Sequence, residues 1–245
     1  MTASATWRPE AAMVLGGGFG KRMMPLTKDI PKPMVVLKGR TLVDHVLDRI
    51  AAAGVKRAVV NVHYQGDKLE AHVKKRATPQ IVISDERQQL LDTGGGVVKA
   101  LPLLGDEPFL IHNSDSVWIE GVGSNLERMF SVWDPDRMDS LMLLASAATS
   151  LGYDGAGDFG METDGLLSRR GEGHTVPFVF TGVSIAHPRL FEGAPQGVYS
   201  LNRLWDKAID SGRLYGIRLD GLWMHVGTPE ALVEAERWIE REDIT

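Results

Sequence analysis

Leu15-Gly16-Gly17-Gly18-Phe19-Gly20-Lys21-Arg22, continued by Met23-Met24-Pro25-Leu26-Thr27 and then by Pro31-Lys32-Pro33, is the stretch on which the reading of this chain turns. It follows a short apolar run, Ala11 to Leu15, with the character of a buried strand, so the glycines begin where the chain leaves a sheet. Without a Cβ, glycine tolerates φ > 0 and lets backbone N–H groups approach an anion closely. Three fixed cations, Lys21, Arg22 and Lys32, follow soon after. The combination suits a polyphosphate cradle, and the plain alternative is a tight turn after a strand.

Two familiar phosphate patterns fail here. The dinucleotide fingerprint needs G-x-G-x-x-G opening a helix directly and an acidic residue about 20 positions on; after Gly20 the spacing is wrong and Pro25 interrupts the helix. A nicotinamide-dependent dehydrogenase is therefore disfavoured. The Walker pattern fails because Lys21 is followed by Arg22 rather than by Ser or Thr.

Working outward, 245 residues suffice for one large α/β domain, read as a single domain over 11–240 behind a flexible N-terminus at 1–10. A hydrophobic share of 43% with 24% charged residues is that of an ordinary globular protein. No apolar run approaches the roughly 18 residues of a membrane span, and the first ten residues lack the apolar centre of a signal peptide, so no membrane partner and a cytoplasmic location are expected. A net charge of −5 argues against a nucleic-acid partner. With no cysteine in the chain, a metal must be held by oxygen or imidazole.

Strand and helix alternate from the start. Val35 to Leu37 reads as a strand, Thr41 as the start of an amphipathic helix ending near Gly54, Arg57 to Val62 as a strand, Gly66 to Arg76 as a helix and Gln80 to Ile83 as a strand. Asp92-Thr93-Gly94-Gly95-Gly96 runs into a further helix, with Asp92 or Thr93 its expected cap. Pro108 to His112 is a strand ending in Asn113-Ser114-Asp115. Ligands of open parallel sheets bind beyond the carboxyl ends of strands, where Asp115 is placed to hold a metal, although these three are also ordinary turn residues. Asn125 to Trp133 reads as a helix and Ser140 to Ser146 as a strand. Beyond Gly152, Asp164-Gly165 between apolar residues is a hairpin signal, Val176 to Ile185 a second strand group, Leu201 to Ser211 a helix and Arg213 to Leu219 a strand; Thr228-Pro229 suits a helix start. The expected fold is α/β, a Rossmann-like, mostly parallel sheet with helices on both faces and an antiparallel insertion.

The first signature, taken with Pro31-Lys32-Pro33-Met34, resembles that of the sugar-1-phosphate nucleotidyltransferases, whose usual form is L-A-A-G-x-G-x-R-[LM]-x-P-L-T…K-P. The resemblance implies the nucleotide-diphospho-sugar transferase fold, with a nucleotide half over about 11–115 and a sugar-binding half over about 116–240. It implies that Leu15, Gly16, Gly17, Gly18, Gly20 and Lys21 embrace a nucleoside triphosphate, that Arg22 steadies the departing pyrophosphate and that Lys32 contacts phosphate. Thr93-Gly94-Gly95 resembles the family element that closes over the base, with Glu86 a candidate contact. Asn113-Ser114-Asp115 resembles N-[GS]-D, in which the aspartate holds Mg²⁺ and the asparagine touches the sugar.

Gly155-Ala156-Gly157-Asp158-Phe159 resembles the G-x-G-D-F of the muramic acid 1-phosphate uridylyltransferases, which implies that Asp158 binds sugar hydroxyls, with Thr181 and Gly182 on the same acceptor side. Trp223-Met224-His225-Val226-Gly227-Thr228 corresponds to W-x-D-[VI]-G-T, but His225 stands where relatives carry the second metal ligand; imidazole favours Mn²⁺ over Mg²⁺. The implied reaction joins a nucleoside triphosphate to a sugar 1-phosphate with loss of pyrophosphate. UTP and N-acetylmuramic acid 1-phosphate, in cell-wall recycling, are the first choice. A mannose- or heptose-1-phosphate guanylyltransferase is the rival, and an inactive nucleotide-binding regulator the rival of another class.

Overall fold

The computed structural model describes residues 7–242. The strands are β1 (Ala11–Leu15), β2 (Val36–Leu37), β3 (Arg40–Thr41), β4 (Arg57–Val62), β5 (Gln80–Asp85), β6 (Phe109–Asn113), β7 (Ser116–Glu120), β8 (Ser140–Ser146), β9 (Phe159–Met161), β10 (Leu167–Arg169), β11 (Phe178–Ala186), β12 (Leu214–Arg218) and β13 (Gly221–His225). The helices are α1 (Leu42–Ala52), α2 (Gly66–Val73), α3 (Asp92–Leu104), α4 (Asn125–Val132), α5 (Asn202–Asp210) and α6 (Pro229–Glu242). Of the stretch expected to be flexible, residues 1–6 lie outside the described residues. Trp7 and Arg8 are packed: the indole stacks on Trp133 with ring centroids 5.8 Å apart, and Arg8 donates to Ala53 O at 3.0 Å.

β1 pairs parallel with β4 on one side and with β6 on the other, and β4 pairs parallel with β5. The antiparallel element sits inside the sheet, not at its rim. β11 runs against β6 with one edge and against β8 with the other, and β8 then carries β12 in parallel. The β9–β10 hairpin turns at Asp164-Gly165 as expected and attaches to the start of β11.

Alternation along the strands builds the two layers. In β1, Ala12 and Val14 face the core shared with Val46, Leu47 and Ile50 of α1 and Leu69 of α2, while Ala11 and Met13 face Val97, Ala100 and Leu104 of α3 and Trp205 of α5. Complete burial of side chains such as Leu47 and Ile50 contributes about 1.5–3 kcal/mol each. Helix entries follow local chemistry: Thr41 Oγ1 accepts from Asp44 N–H (3.2 Å), Ser124 Oγ from Glu127 N–H (3.3 Å) and Thr228 Oγ1 from Ala231 N–H (3.2 Å), caps of about 1 kcal/mol each. A third apolar cluster, with Met23, Leu37, Val117, Met224 and Leu232, seats α6 beside the first signature.

Candidate active site

β1 and β6 lie side by side with Leu15 opposite Asn113, and the chain leaves both strands at the same level. Ser114 N–H ties the two exits together by donating to Leu15 O at 3.1 Å. Neighbouring connections diverge here, which leaves a crevice beyond the carboxyl ends of the strands. A cavity of about 220 Å³ occupies it, walled by Leu15 to Gly18, Gly20 and Lys32 on one side and by Asn113, Ser114 and Asp115 on another. Asn61, Leu90, Asp92 and Thr93 complete the wall. The signature loop holds its shape because Gly20 O accepts from both Met23 N–H and Thr27 Oγ1, each at 2.9 Å. Lys21 and Arg22 face an adjoining recess with Lys32 and Gly227.

A second cavity, of about 240 Å³, shares Asn113 and Asp115 with the first and adds Arg22, Tyr153, Asp158, Gly182, Trp223 and His225. Its geometry is set by an interruption in β11 between Phe180 and Val183. Asp158 Oδ2 accepts from Phe180 N–H (2.9 Å), and the Thr181 hydroxyl donates inward to Leu143 O (2.8 Å). Thr181 also lines this cavity, with its hydroxyl proton committed to the sheet. Gly182, at φ +90°, leaves room for Asn113, whose Nδ2 would lie 2.7 Å from a Cβ there.

His225 reaches Asp115 through the two-stranded ribbon of β7 and β13, which sets His225 opposite Ser116. The Lys32 ammonium donates to Asp115 Oδ2 in a partly buried ion pair. Enclosure pushes the Asp115 carboxyl up, but Lys32 and then His225 outweigh it and hold the group below the usual carboxylate range. Burial lowers the His225 imidazole, Asp115 opposes this, and Arg22 and Lys32 add to the lowering. A carboxylate and an imidazole thus line the second cavity together, the carboxylate also facing the first. Among the described residues no third His, Cys, Asp or Glu is placed to hold a metal with them. Such a pair fits a divalent ion that takes its other ligands from water and substrate phosphates, as magnesium ordinarily does.

Gly94 and Gly95, expected at the nucleotide, are absent from the wall of the first cavity. They form the first turn of α3, and both N–H groups donate to Tyr199 O, at 2.8 and 3.2 Å. A Cβ on Gly94 would lie 2.4 Å from the Tyr199 ring, and one on Gly95 2.0 Å from Gly197 O. These glycines serve the close passage of 197–199. Neither Asp92 nor Thr93 caps α3; Thr93 Oγ1 accepts instead from Leu201 N–H at 2.9 Å. Glu86 is buried below the cavity and absent from its wall. Asn61 and Tyr153 escaped the sequence reading, and Trp223 entered it as a motif residue with no role assigned. For Asn61 a signal existed, a polar residue near the carboxyl end of an apolar strand, as at Asn113.

Two recesses thus share Asn113 and Asp115 at the sheet's switch point, where open α/β sheets bind their ligands. Residues 11–146 match the nucleotidyl transferase family, and the chain belongs to it. It is 47% identical over 232 residues to the N-acetylmuramate alpha-1-phosphate uridylyltransferase of Caulobacter vibrioides, a match covering 93% of this chain and 96% of that protein. The protein of the same name from Neisseria meningitidis is 31% identical, over 92% of this chain and 96% of its own length. In fold the chain is similar to UDP-glucose pyrophosphorylase complexed with UDP-glucose, with a TM-score of 0.77 and 15% identity over 96% of this chain and 100% of the other. Among the described residues no helix is long and apolar enough to cross a membrane.

Proposed function

We propose that the chain transfers the uridylyl group of UTP to N-acetylmuramic acid 1-phosphate, forming UDP-N-acetylmuramic acid and pyrophosphate, and that it works in the cytoplasm, where nucleoside triphosphates are made. Residues 11–115 serve as the nucleotide half and 116–240 as the acceptor half. The observation that carries this reading is the meeting of two recesses on Asn113 and Asp115, one rimmed by backbone amides and Lys32, the other by Arg22, Asp158 and His225. Likeness to the Caulobacter uridylyltransferase over nearly the whole chain supports the choice of substrates.

An oxygen of the sugar phosphate attacks the α-phosphorus; the new P–O bond forms as the bond to the β-phosphate oxygen breaks, and pyrophosphate leaves with that electron pair. The nucleophile is already an anion, so no general base is required. The side chains bring two repelling anions together and offset charge as it shifts to the leaving group. Lys32 and Arg22 border the two recesses and supply that charge. Asp158 and Asn113 orient the acceptor. Asp115 and His225 would hold a divalent ion, Mg²⁺ or Mn²⁺, which when bound screens the two phosphates from each other.

The test is pyrophosphate release from each of the four ribonucleoside triphosphates with N-acetylmuramic acid 1-phosphate, glucose 1-phosphate and mannose 1-phosphate. The expected result is fastest turnover with UTP and the muramic acid phosphate. Faster turnover with GTP and mannose 1-phosphate would overturn the substrate choice, and binding without turnover would favour the regulator.

A further inference from the structure

Glu86 was expected at the nucleobase, yet it lies 1% exposed behind the cavity wall. Its carboxylate accepts two hydrogen bonds, and they lead to two separate segments of the nucleotide cavity's lining. Oε1 accepts from Asn61 Nδ2 at 2.8 Å, and Asn61 Oδ1 accepts from Gly16 N–H, the first amide of the glycine loop, at 2.7 Å. Oε2 accepts from Leu91 N–H at 3.1 Å, between the wall residues Leu90 and Asp92. The main chain of Glu86 is held as firmly, its N–H donating to Val62 O (2.9 Å) and its carbonyl accepting from His63 Nδ1 (2.7 Å).

The polarity of this chain of bonds matters. An asparagine amide presents oxygen on one side and NH₂ on the other, and either orientation fits its shape. A carboxylate at position 86 accepts only, so it draws the NH₂ of Asn61 toward itself and turns the amide oxygen to Gly16. Packing leaves no room to relax: a Cβ on Gly96 would lie 2.9 Å from Glu86 Oε1, and one on Gly17 3.2 Å from Asn61 Nδ2. Buried polar groups in so tight a setting are costly to leave unpaired.

We infer that Glu86 and Asn61 form a buried strut that sets the separation and orientation of the glycine loop and the Leu90–Thr93 wall. Glu86 is a positioning residue for the triphosphate and makes no contact with the base. The inference rests on the reading of this cavity as the nucleotide's.

Glu86→Gln tests it with two measurements, the KM for UTP and the inhibition constant of inorganic tripolyphosphate, a probe that has no base. Glutamine keeps one acceptor and gains a donor, so either Asn61 Nδ2 or Leu91 N–H loses its partner. Both constants are expected to rise about tenfold or more, while the KM for the sugar phosphate stays within about twofold. Asn61→Asp alone sets two carboxylates face to face and weakens both constants in the same way. Combining Asn61→Asp with Glu86→Gln restores every bond with the polarity reversed. The new carboxylate at position 61 would accept from Gly16 N–H and from the amide NH₂ at position 86, whose oxygen would accept from Leu91 N–H. This double variant is expected to return both constants to within about threefold of the wild type.

A rise in the UTP KM with unchanged tripolyphosphate inhibition, or a double variant no better than Glu86→Gln, would overturn the strut. Should Glu86→Gln not fold, Asn61→Ser removes the same link from its other end and is put through both measurements with the same expected result. Tripolyphosphate that fails to inhibit the wild-type enzyme would overturn the nucleotide reading of the cavity as well.

Discussion

Alanine at position 95 separates two roles for the glycines of Thr93-Gly94-Gly95-Gly96. In an unconstrained helix the change would stabilise by about 1 kcal/mol. Here the new Cβ would lie 2.0 Å from Gly197 O, a main-chain atom that cannot rotate aside. The 197–199 segment would have to withdraw from α3, to which it is tied by Gly94 N–H and Gly95 N–H donating to Tyr199 O and by Tyr199 N–H donating to Leu91 O. Overpacking costs about 1–3 kcal/mol, and loss of two of these bonds costs about 1 kcal/mol each. After the propensity gain, about 2–4 kcal/mol of stability is lost. For a chain of this size that is a fall of roughly 4–16 °C in melting temperature, read by differential scanning calorimetry. Gly18→Ala is the companion: nothing lies within 4 Å of its Cβ, so melting is unchanged while the methyl group enters the nucleotide cavity and raises the KM for UTP. Gly95→Ala melting at or above the wild type would refute this reasoning, and so would lost nucleotide affinity at unchanged melting.

Asp115→Ala is expected to reduce pyrophosphate release by about a thousandfold or more, since it removes the group shared by both recesses; an enzyme retaining a tenth of its activity would exclude the assigned role. His225→Asp exchanges imidazole for a harder oxygen ligand, so the ratio of activity with Mg²⁺ to that with Mn²⁺ should rise about fivefold or more, and an unchanged ratio would remove His225 from the metal site. Burial holds His112 at about 3, against an ordinary 6.5. The folded chain therefore binds fewer protons than the unfolded chain between those values, and stability should fall as pH drops below about 6.5, by up to ~1.4 kcal/mol per pH unit. Denaturant midpoints between pH 7.5 and 5 report this, and a flat profile would contradict the neutral, buried ring.

Much of the fold was legible because its causes are local. The apolar run of β1 followed by glycines, Thr41 ahead of α1, Asp164-Gly165 in the β9–β10 hairpin and Thr228-Pro229 at α6 each act through neighbouring φ/ψ preferences or a side chain within one helical turn. What local chemistry leaves open has one origin. Gly94-Gly95 looks like a ligand loop because a glycine tolerates a close approach from any direction, and local chemistry does not say whether a nucleotide or the Tyr199 segment makes that approach. Glu86 could be placed near the base but not behind its wall, since the partners that bury it, Asn61 and Leu91, are set by strand pairing.

By itself the sequence determined the order of elements, the glycine-rich exit of β1 followed by the fixed cations Lys21 and Arg22, and the placing of Asn113-Ser114-Asp115 at a strand's carboxyl end, all consequences of periodicity and residue type. Only the tertiary structure decided that β11 enters the middle of the sheet and that the β7–β13 ribbon carries His225 to Asp115. It likewise decided that the carboxylate of Glu86 serves two walls at once. Those outcomes depend on hydrogen bonds between segments far apart in the chain, whose register is chosen by burial of the whole core and is written in no single stretch of residues.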